Sequence, residues 1–243
     1  MKKNDNISPS NEVESLLIDF RNKTGLDISI VLNDFLDYII GYLDPTCTPI
    51  EGWSHSEDEN KMFYNIMINY FSLIDERLSD GGWYDAFGDI IMSIRANGGG
   101  FEQYFTPPSI CEVVTKVVVT NDIISGGRYV ISDPSCGSSR NLLAVHTKLS
   151  SECKKSPYIV AEDIDILCCK MSAVNLAIHG CFGEVVCHDT IAEPHTIRNG
   201  FLINHLLYEN KTIFPTIVRT NVSSEFLFGQ KIKLKEPIQL TLF

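Results

Sequence analysis

Beyond Asn97-Gly98-Gly99-Gly100 the chain alternates short β-branched runs with stretches of helical periodicity, and that alternation leaves few folds open. Tyr129-Val130-Ile131 reads as a strand and 139–149 as a helix. Tyr158-Ile159-Val160-Ala161 is the next strand, 165–178 the next helix, and Glu184-Val185-Val186-Cys187 a third strand. Parallel strands joined by helices require right-handed crossovers and cover for both sheet faces, so the predicted class is α/β with a doubly wound, mostly parallel sheet. The last fifty residues are less regular, with a strand-like run over Thr212–Val218 and a segment carrying Lys231, Lys233 and Lys235.

Before the glycines the periodicity is helical throughout. Val13, Leu16, Leu17 and Phe20 mark a first helix over 11–21; 29–43, 60–78 and 83–95 follow, with Asp44-Pro45 and Asp80-Gly81-Gly82 as breaks. The expected organisation is therefore a helical domain over 1–98 and a sheet domain over 99–243 with a C-terminal tail. Charge divides the chain in the same way. Residues 1–100 carry 7 basic and 17 acidic groups, whereas residues 196–243 carry 6 and 3. An acidic first half repels a polyphosphate, so any contact with nucleic acid is expected from the basic C-terminal region or from a partner.

The 243 residues have no run near the ~18 apolar residues that a membrane helix needs. The opening MKKNDNISPSNEVES has no apolar stretch behind its lysines, and a cytoplasmic protein is expected. Cys47, Cys111, Cys136, Cys153, Cys168, Cys169, Cys181 and Cys187 contain no C-x-x-C pair and no zinc-type histidine spacing. They read as free thiols, with no metal site. His55, His146, His179, His195 and His205 have no partner at triad spacing and read as structural or surface residues.

Open parallel sheets bind ligands beyond the carboxyl ends of their strands. The first such end is Asp133-Pro134-Ser135-Cys136-Gly137-Ser138-Ser139, whose small residues let backbone approach a ligand closely. It is neither G-x-G-x-x-G nor a Gly-Lys-Ser loop, which disfavours a pyrophosphate cradle. The second strand ends in Glu162-Asp163-Ile164-Asp165, where an acid can accept both hydrogens of a ribose diol. The third ends in His188-Asp189, where a carboxylate can take an adenine amino hydrogen. Three acids at successive strand tips fit generic strand-end loops or a nucleoside-cofactor site, and the residues by themselves leave both readings open.

Gly99-Gly100-Phe101-Glu102-Gln103-Tyr104-Phe105-Thr106-Pro107 resembles the G-x-F/Y-F-T-P segment of adenine-specific (N6) DNA methyltransferases, above all the modification subunits of type I restriction systems. Asp133-Pro134-Ser135-Cys136-Gly137-Ser138 is similar to their D-P-A-C-G-S-G loop, and Lys170–Gly180 to their helix ending in N-L-x-x-H-G. His188-Asp189-Thr190 stands where they carry G-D-T/S, so four motifs match in order over residues 99–191. The resemblance implies a Rossmann-like fold, S-adenosylmethionine as cofactor, DNA as substrate and a specificity or catalytic partner subunit. It places Phe105, Thr106 and Pro107 at the methionine end of the cofactor, with Asp133, Ser135 and Gly137 beside the amino acid portion. Asp163 falls at the ribose, with Glu162 or Asp165 as substitutes, and Asp189 at the adenine. Ser139-Arg140 and His188 replace small residues and are expected to narrow the pocket.

The family acts through an Asn/Asp-Pro-Pro-Tyr/Phe motif, whose side chain accepts hydrogens from the target amine and whose ring stacks on the flipped base. No N-P-P or D-P-P occurs in the chain; Asn199-Gly200 and Asn204-His205 are imperfect stand-ins, and catalytic residues stay unassigned. A non-catalytic cofactor-binding or DNA-associated adaptor is the competing reading. The terminal Gln239-Leu240-Thr241-Leu242-Phe243 is similar to the Q-L-x-L-F peptide that docks on the bacterial sliding clamp. In that reading Leu242 and Phe243 fill an apolar pocket, Gln239 bonds at its rim, and the chain is expected to be complete. The structural alternative is a final strand tucked onto the sheet.

Overall fold

The computed structural model describes residues 9–97, 101, 103–120, 129–153, 157–193, 196–220 and 238–241. Four helices come first: α1 (Pro9–Thr24), α2 (Ile28–Leu43), α3 (Glu57–Leu78) and α4 (Ala86–Ala96). Their starts are written in short polar side chains. Asp27 accepts the Ser29 N–H at 2.8 Å to cap α2, and Ser56 with Glu59 closes a reciprocal capping box on α3. Each such cap stabilises its helix by about 1 kcal/mol. The helices meet around an aromatic cluster in which Phe20 stacks on Phe63 at 4.2 Å and Tyr70 on Phe87 at 4.6 Å between ring centroids.

A fifth helix, α5 (Pro108–Val118), has no counterpart in the periodicity reading. Its signal is the proline at its first turn, where a missing N–H costs nothing. The alternating region then gives β1 (Tyr129–Asp133), α6 (Arg140–Cys153), β2 (Tyr158–Asp163), α7 (Ile166–Ile178) and β3 (Phe182–Cys187). After these come β4 (Asn199–Ile203), α8 (His205–Tyr208), β5 (Ile217–Thr220) and β6 (Ile238–Thr241). The sheet order is β5-β4-β3-β2-β1-β6, with β3, β2, β1 and β6 parallel and β4 and β5 antiparallel. The fold is thus the expected α/β methyltransferase architecture, extended by an antiparallel pair.

Two details differ from the sequence reading. The strand anticipated at Thr212 begins only at Ile217, because Pro215 has no N–H and Thr212 turns its hydroxyl onto the Phe214 carbonyl at 3.0 Å. The terminal peptide anticipated as an extended tail is drawn into the sheet as well. The backbone of Gln239 and Leu240 lies in β6, paired with Val130 and Ile131 of β1, while Leu242 and Phe243 lie outside the described residues.

Helices and sheet share one continuous buried core, reaching from Phe20 and Phe35 through Phe87 to Ile131, Val174 and Val185. Polar bonds cross the same junction. Lys170 of α7 donates to Asp37 at 2.7 Å and to Asn33 at 2.8 Å, and Arg219 of β5 donates to the other Asp37 oxygen at 2.8 Å. Deeper in, the fully covered carboxylate of Asp85 accepts from Gly88 N–H (2.9 Å), Ser138 Oγ (2.5 Å), Arg140 Nε (2.6 Å) and Asn175 Nδ2 (2.8 Å). Tyr70 completes the chain by donating to Asn175 Oδ1 at 3.2 Å.

Removing one member of a buried, hydrogen-bonded ion pair strands the other charge and costs about 3–5 kcal/mol. Asp85→Ala is expected to lose that much in urea unfolding, and Asp85→Ala with Arg140→Met together less than the single change; a loss below 1 kcal/mol for Asp85→Ala would refute the role.

Candidate cofactor site at the carboxyl edge

The register puts Asp133 opposite Ala161 and Asp163 opposite Cys187, so both acids end their strands on one edge of the sheet. Three loops are laced together there. From the β1 loop, Cys136 N–H donates to the Glu162 carbonyl at 2.9 Å and Gly137 N–H to Asp163 Oδ2 at 2.9 Å. From the β3 loop, His188 N–H donates to the Asp163 carbonyl at 3.0 Å, and Thr190 Oγ1 to the Pro134 carbonyl at 3.3 Å. Asp163 also accepts the Asp165 N–H at 2.9 Å, so backbone from two loops orients its carboxylate.

Asp133 is buried, and its Oδ1 accepts the Ser135 N–H at 3.1 Å. Burial lifts its carboxyl above the ordinary range, and the neighbouring Asp163 and Glu162 charges add to the lift. Burial raises Asp163 in the same sense. Among the described residues no Lys or Arg forms an ion pair with either acid. Asp189 behaves in the opposite way. Its carboxylate accepts the Ala192 and Ile191 N–H groups at 2.8 and 3.0 Å, which lower its pKa and fold the turn after β3.

The Phe105-Thr106-Pro107 segment closes the site from the side of α5. The Phe105 ring lies over Gly137, where an added Cβ would sit 3.2 Å from ring carbons. Gly137 has φ +55°, a left-handed conformation that glycine adopts at little cost. The Thr106 carbonyl accepts from Arg140 Nη1 at 3.2 Å, and Pro107 leads into α5 without a side-chain cap. Ser135 supplies backbone to the loop, as its bond to Asp133 shows.

The residues expected to narrow the pocket are accounted for elsewhere. Ser139 bends back with φ +72° and its hydroxyl meets that of Ser172. Arg140 is turned away into Asp85 and Asp89, at 2.6 and 2.5 Å. His188 is buried with its Nε2 2.8 Å from Glu162 Oε1, which commits Glu162 to the histidine. Asp165 is committed too, capping α7 through Leu167 N–H (2.8 Å) and accepting Gln103 Nε2 (2.5 Å). Of the three acids on the second strand tip, Asp163 alone is held by main-chain donors within the loop lattice.

Gln103 was not singled out from the sequence. It links the Phe-Thr-Pro segment to α7, its carbonyl is held by Arg95 at 2.9 Å, and Arg95 lies over the Tyr104 ring at 3.1 Å from the centroid. No local pattern reveals such a bond between residues 62 positions apart. Burial raises the Cys136 thiol well above its usual range, and Cys111 to about 11, so neither is a ready nucleophile.

The stand-ins for the missing Asn-Pro-Pro motif separate clearly. Asn199 pairs with Cys187 on the cofactor edge and is exposed. Asn204 sits at the opposite edge, buried with φ +58°, donating to the Ala177 and Cys181 carbonyls at 2.9 and 2.8 Å and accepting Thr216 N–H at 2.8 Å. All of its amide is used in structure, so it has no free group for chemistry. His205 beside it donates its Nε2–H to the Gly183 carbonyl at 3.1 Å.

The family model for N-6 DNA methylases matches residues 83–214. Among solved structures, the chain is similar to a class I S-adenosylmethionine-dependent methyltransferase from Listeria monocytogenes. The identity is 14% over 76% of this chain and 54% of that one, with a TM-score of 0.51. It is also similar, at 11% identity and a TM-score of 0.40, to a type I restriction-modification methyltransferase subunit from Streptococcus thermophilus, covering 77% of this chain and 62% of that one. The chain thus spans less than two thirds of either structure. No curated protein sequence matches it.

Two outcomes follow from this geometry. Gly137→Ala is expected to cost about 1–2 kcal/mol in chemical denaturation through its left-handed backbone and the Phe105 contact; an unchanged midpoint would show that the loop is not held as described. Glu184 of β3, buried beside Tyr158, has its carboxyl pushed up from 4.5 to about 8 by burial. The native state then binds more protons than the unfolded chain across that window, so stability falls as pH rises from about 4.5 to 8. Glu184→Gln is expected to flatten that part of the urea-midpoint profile, and a parallel profile would contradict it.

Proposed function

The chain belongs to the N-6 DNA methylase family, and from that premise we propose that its carboxyl-edge site binds S-adenosylmethionine for DNA adenine methylation. The single observation that carries the reading is the pairing of the buried Asp133 with the half-buried Asp163, 30 positions apart in sequence and joined by one lattice of loop bonds through Gly137. Both carboxyls are desolvated and neither has a cationic protein partner among the described residues. Acceptors in that state favour a ligand that brings hydroxyl and ammonium donors, and S-adenosylmethionine carries a ribose diol and an amino acid ammonium. The residues present therefore fit the cofactor.

In this reading Asp163 takes the ribose hydroxyls, and Asp133 with the Ser135–Gly137 backbone lines the amino acid portion. Phe105, Thr106 and Pro107 cover the methionine end. Asp189 fixes the turn that meets the adenine and presents its remaining lone pairs there. The bound cofactor supplies an electrophilic methyl group. The chain's own work is to hold it, exclude water beneath Phe105 and orient it by fixed backbone dipoles. Residues 99–243 do this while the helical residues 1–98 brace the loop through Asp85.

The sequence holds no Asn/Asp-Pro-Pro-Tyr/Phe motif and Asn204 is fully occupied, which favours cofactor binding by these 243 residues without methyl transfer on their own. A partner subunit and DNA reached through it complete the reading, since the acidic first hundred residues repel phosphate. Docking of Gln239, Leu240, Leu242 and Phe243 on a sliding clamp would require β6 to leave β1, and nothing in the fold favours that exchange.

Calorimetric titration with S-adenosylmethionine is expected to show one site, and Asp163→Asn, which keeps an acceptor oxygen for the loop N–H groups, to weaken it at least tenfold. With labelled cofactor and mixed DNA, no label is expected in adenine. Absence of binding by the wild-type chain would sink the proposal, and label in adenine would show that the catalytic groups lie within these residues.

A further inference from the structure

At the amino edge of the sheet, away from the cofactor loops, the C-terminal ends of α2 and α3 face the loop before β5 across a cavity of about 710 Å³. This volume lies within the range that accommodates a small organic molecule. Its walls are apolar: Phe71, Ile74 and Leu78 from α3, Ile178 from the end of α7, and Phe214 and Pro215 from the loop. Phe214 and Tyr42 at the mouth are mostly exposed, at 69% and 59%, a high figure for aromatic side chains that rim a concave surface.

The charged groups in this lining are few and of one sign. Asp44 and Asp75 contribute carboxylates, and neither has an ion-pair partner among the described residues. Asp44 is only 5% exposed, with Oδ1 accepting from the Thr46 N–H and hydroxyl at 2.9 and 2.7 Å. No Lys, Arg or His is among the lining residues, and nearby Lys211 is engaged by Glu209 at 2.6 Å. Thr216 also belongs to the lining. It is 4% exposed, its backbone is bonded on both sides to Asn204, and its hydroxyl has no partner among the described residues.

We propose that this cavity binds a small organic cation: an apolar, ring-bearing body with an ammonium group directed at the carboxylates of Asp44 and Asp75. An anion is opposed by two carboxylates. A neutral apolar ligand would fill the walls but leave the carboxylates unanswered. The rings of Tyr42, Phe71 and Phe214 add attraction for a cation that they do not offer a neutral body. The site is separate from the carboxyl edge, so the proposal stands or falls independently of cofactor binding.

A matched series separates the alternatives: 1-naphthylmethylammonium, 1-naphthylmethanol and 1-naphthylacetate share one apolar body and differ in charge. Thermal shift and calorimetry on the full chain at low salt are expected to rank the ammonium about tenfold tighter than the alcohol, with no binding of the acetate. Asp44→Asn is expected to erase the preference for the ammonium. Because Asp44 is buried, the exposed Asp75→Asn provides a second variant that leaves the fold intact and lowers the preference severalfold. Leu78→Trp, which fills the cavity, is expected to abolish binding of all three. Equal affinity across the series, no binding of the ammonium, or a preference unchanged in both aspartate variants would overturn the proposal.

Discussion

The carboxylate of Asp85 is the point on which the two halves of the molecule depend. It caps α4 through Gly88, and it simultaneously anchors Ser138 and Arg140 at the start of α6 and Asn175 in α7. A charge this deeply covered is tolerable only because an arginine and three neutral donors surround it. The position of the loop after β1 is therefore set from the helical side of the junction as much as from the sheet. Gly88 shows how tight the arrangement is, since a Cβ there would sit 2.0 Å from the Asp85 carboxylate and 2.6 Å from the Arg140 guanidinium.

Around the cofactor edge the electrostatics run the other way. Asp133 and Asp163 are gathered with Glu162 within mutual influence, and burial makes each reluctant to ionise. Glu162 is balanced by His188, Asp165 by its cap and Gln103, Asp163 by main-chain donors, and Asp133 by the Ser135 N–H and the Asn141 side chain. Donor-rich ligands relieve that crowding, which is the physical basis for placing a nucleoside sulfonium there.

Much of this was legible in the chain. The alternation after Gly100 identified β1, β2 and β3 with their intervening helices, and the tips of those strands named Asp133, Asp163 and Asp189. Periodicity works there because each element buries one face in a shared core. What could not be read was pairing at a distance. Nothing near Arg140 announces Asp85, fifty-five positions earlier, so its long side chain was expected in the pocket when it is drawn out of it. Strand direction is equally silent in local composition, and nothing local announces that β4 and β5 pair antiparallel. Gln239 and Leu240 carry a peptide pattern suited to an exposed tail, yet the open side of β1 offers a row of unpaired backbone groups that the same residues satisfy.

The turn at Asn204 gives the fold a polarity. One amide there rivets the end of α7 to the start of β5, closing the floor of the sheet with bonds that solvent does not reach. The roof, by contrast, is made of loops whose ties are mainly single backbone contacts. Amide hydrogen exchange should accordingly be graded from slow to fast along each strand, with the freer end the one where the loops meet.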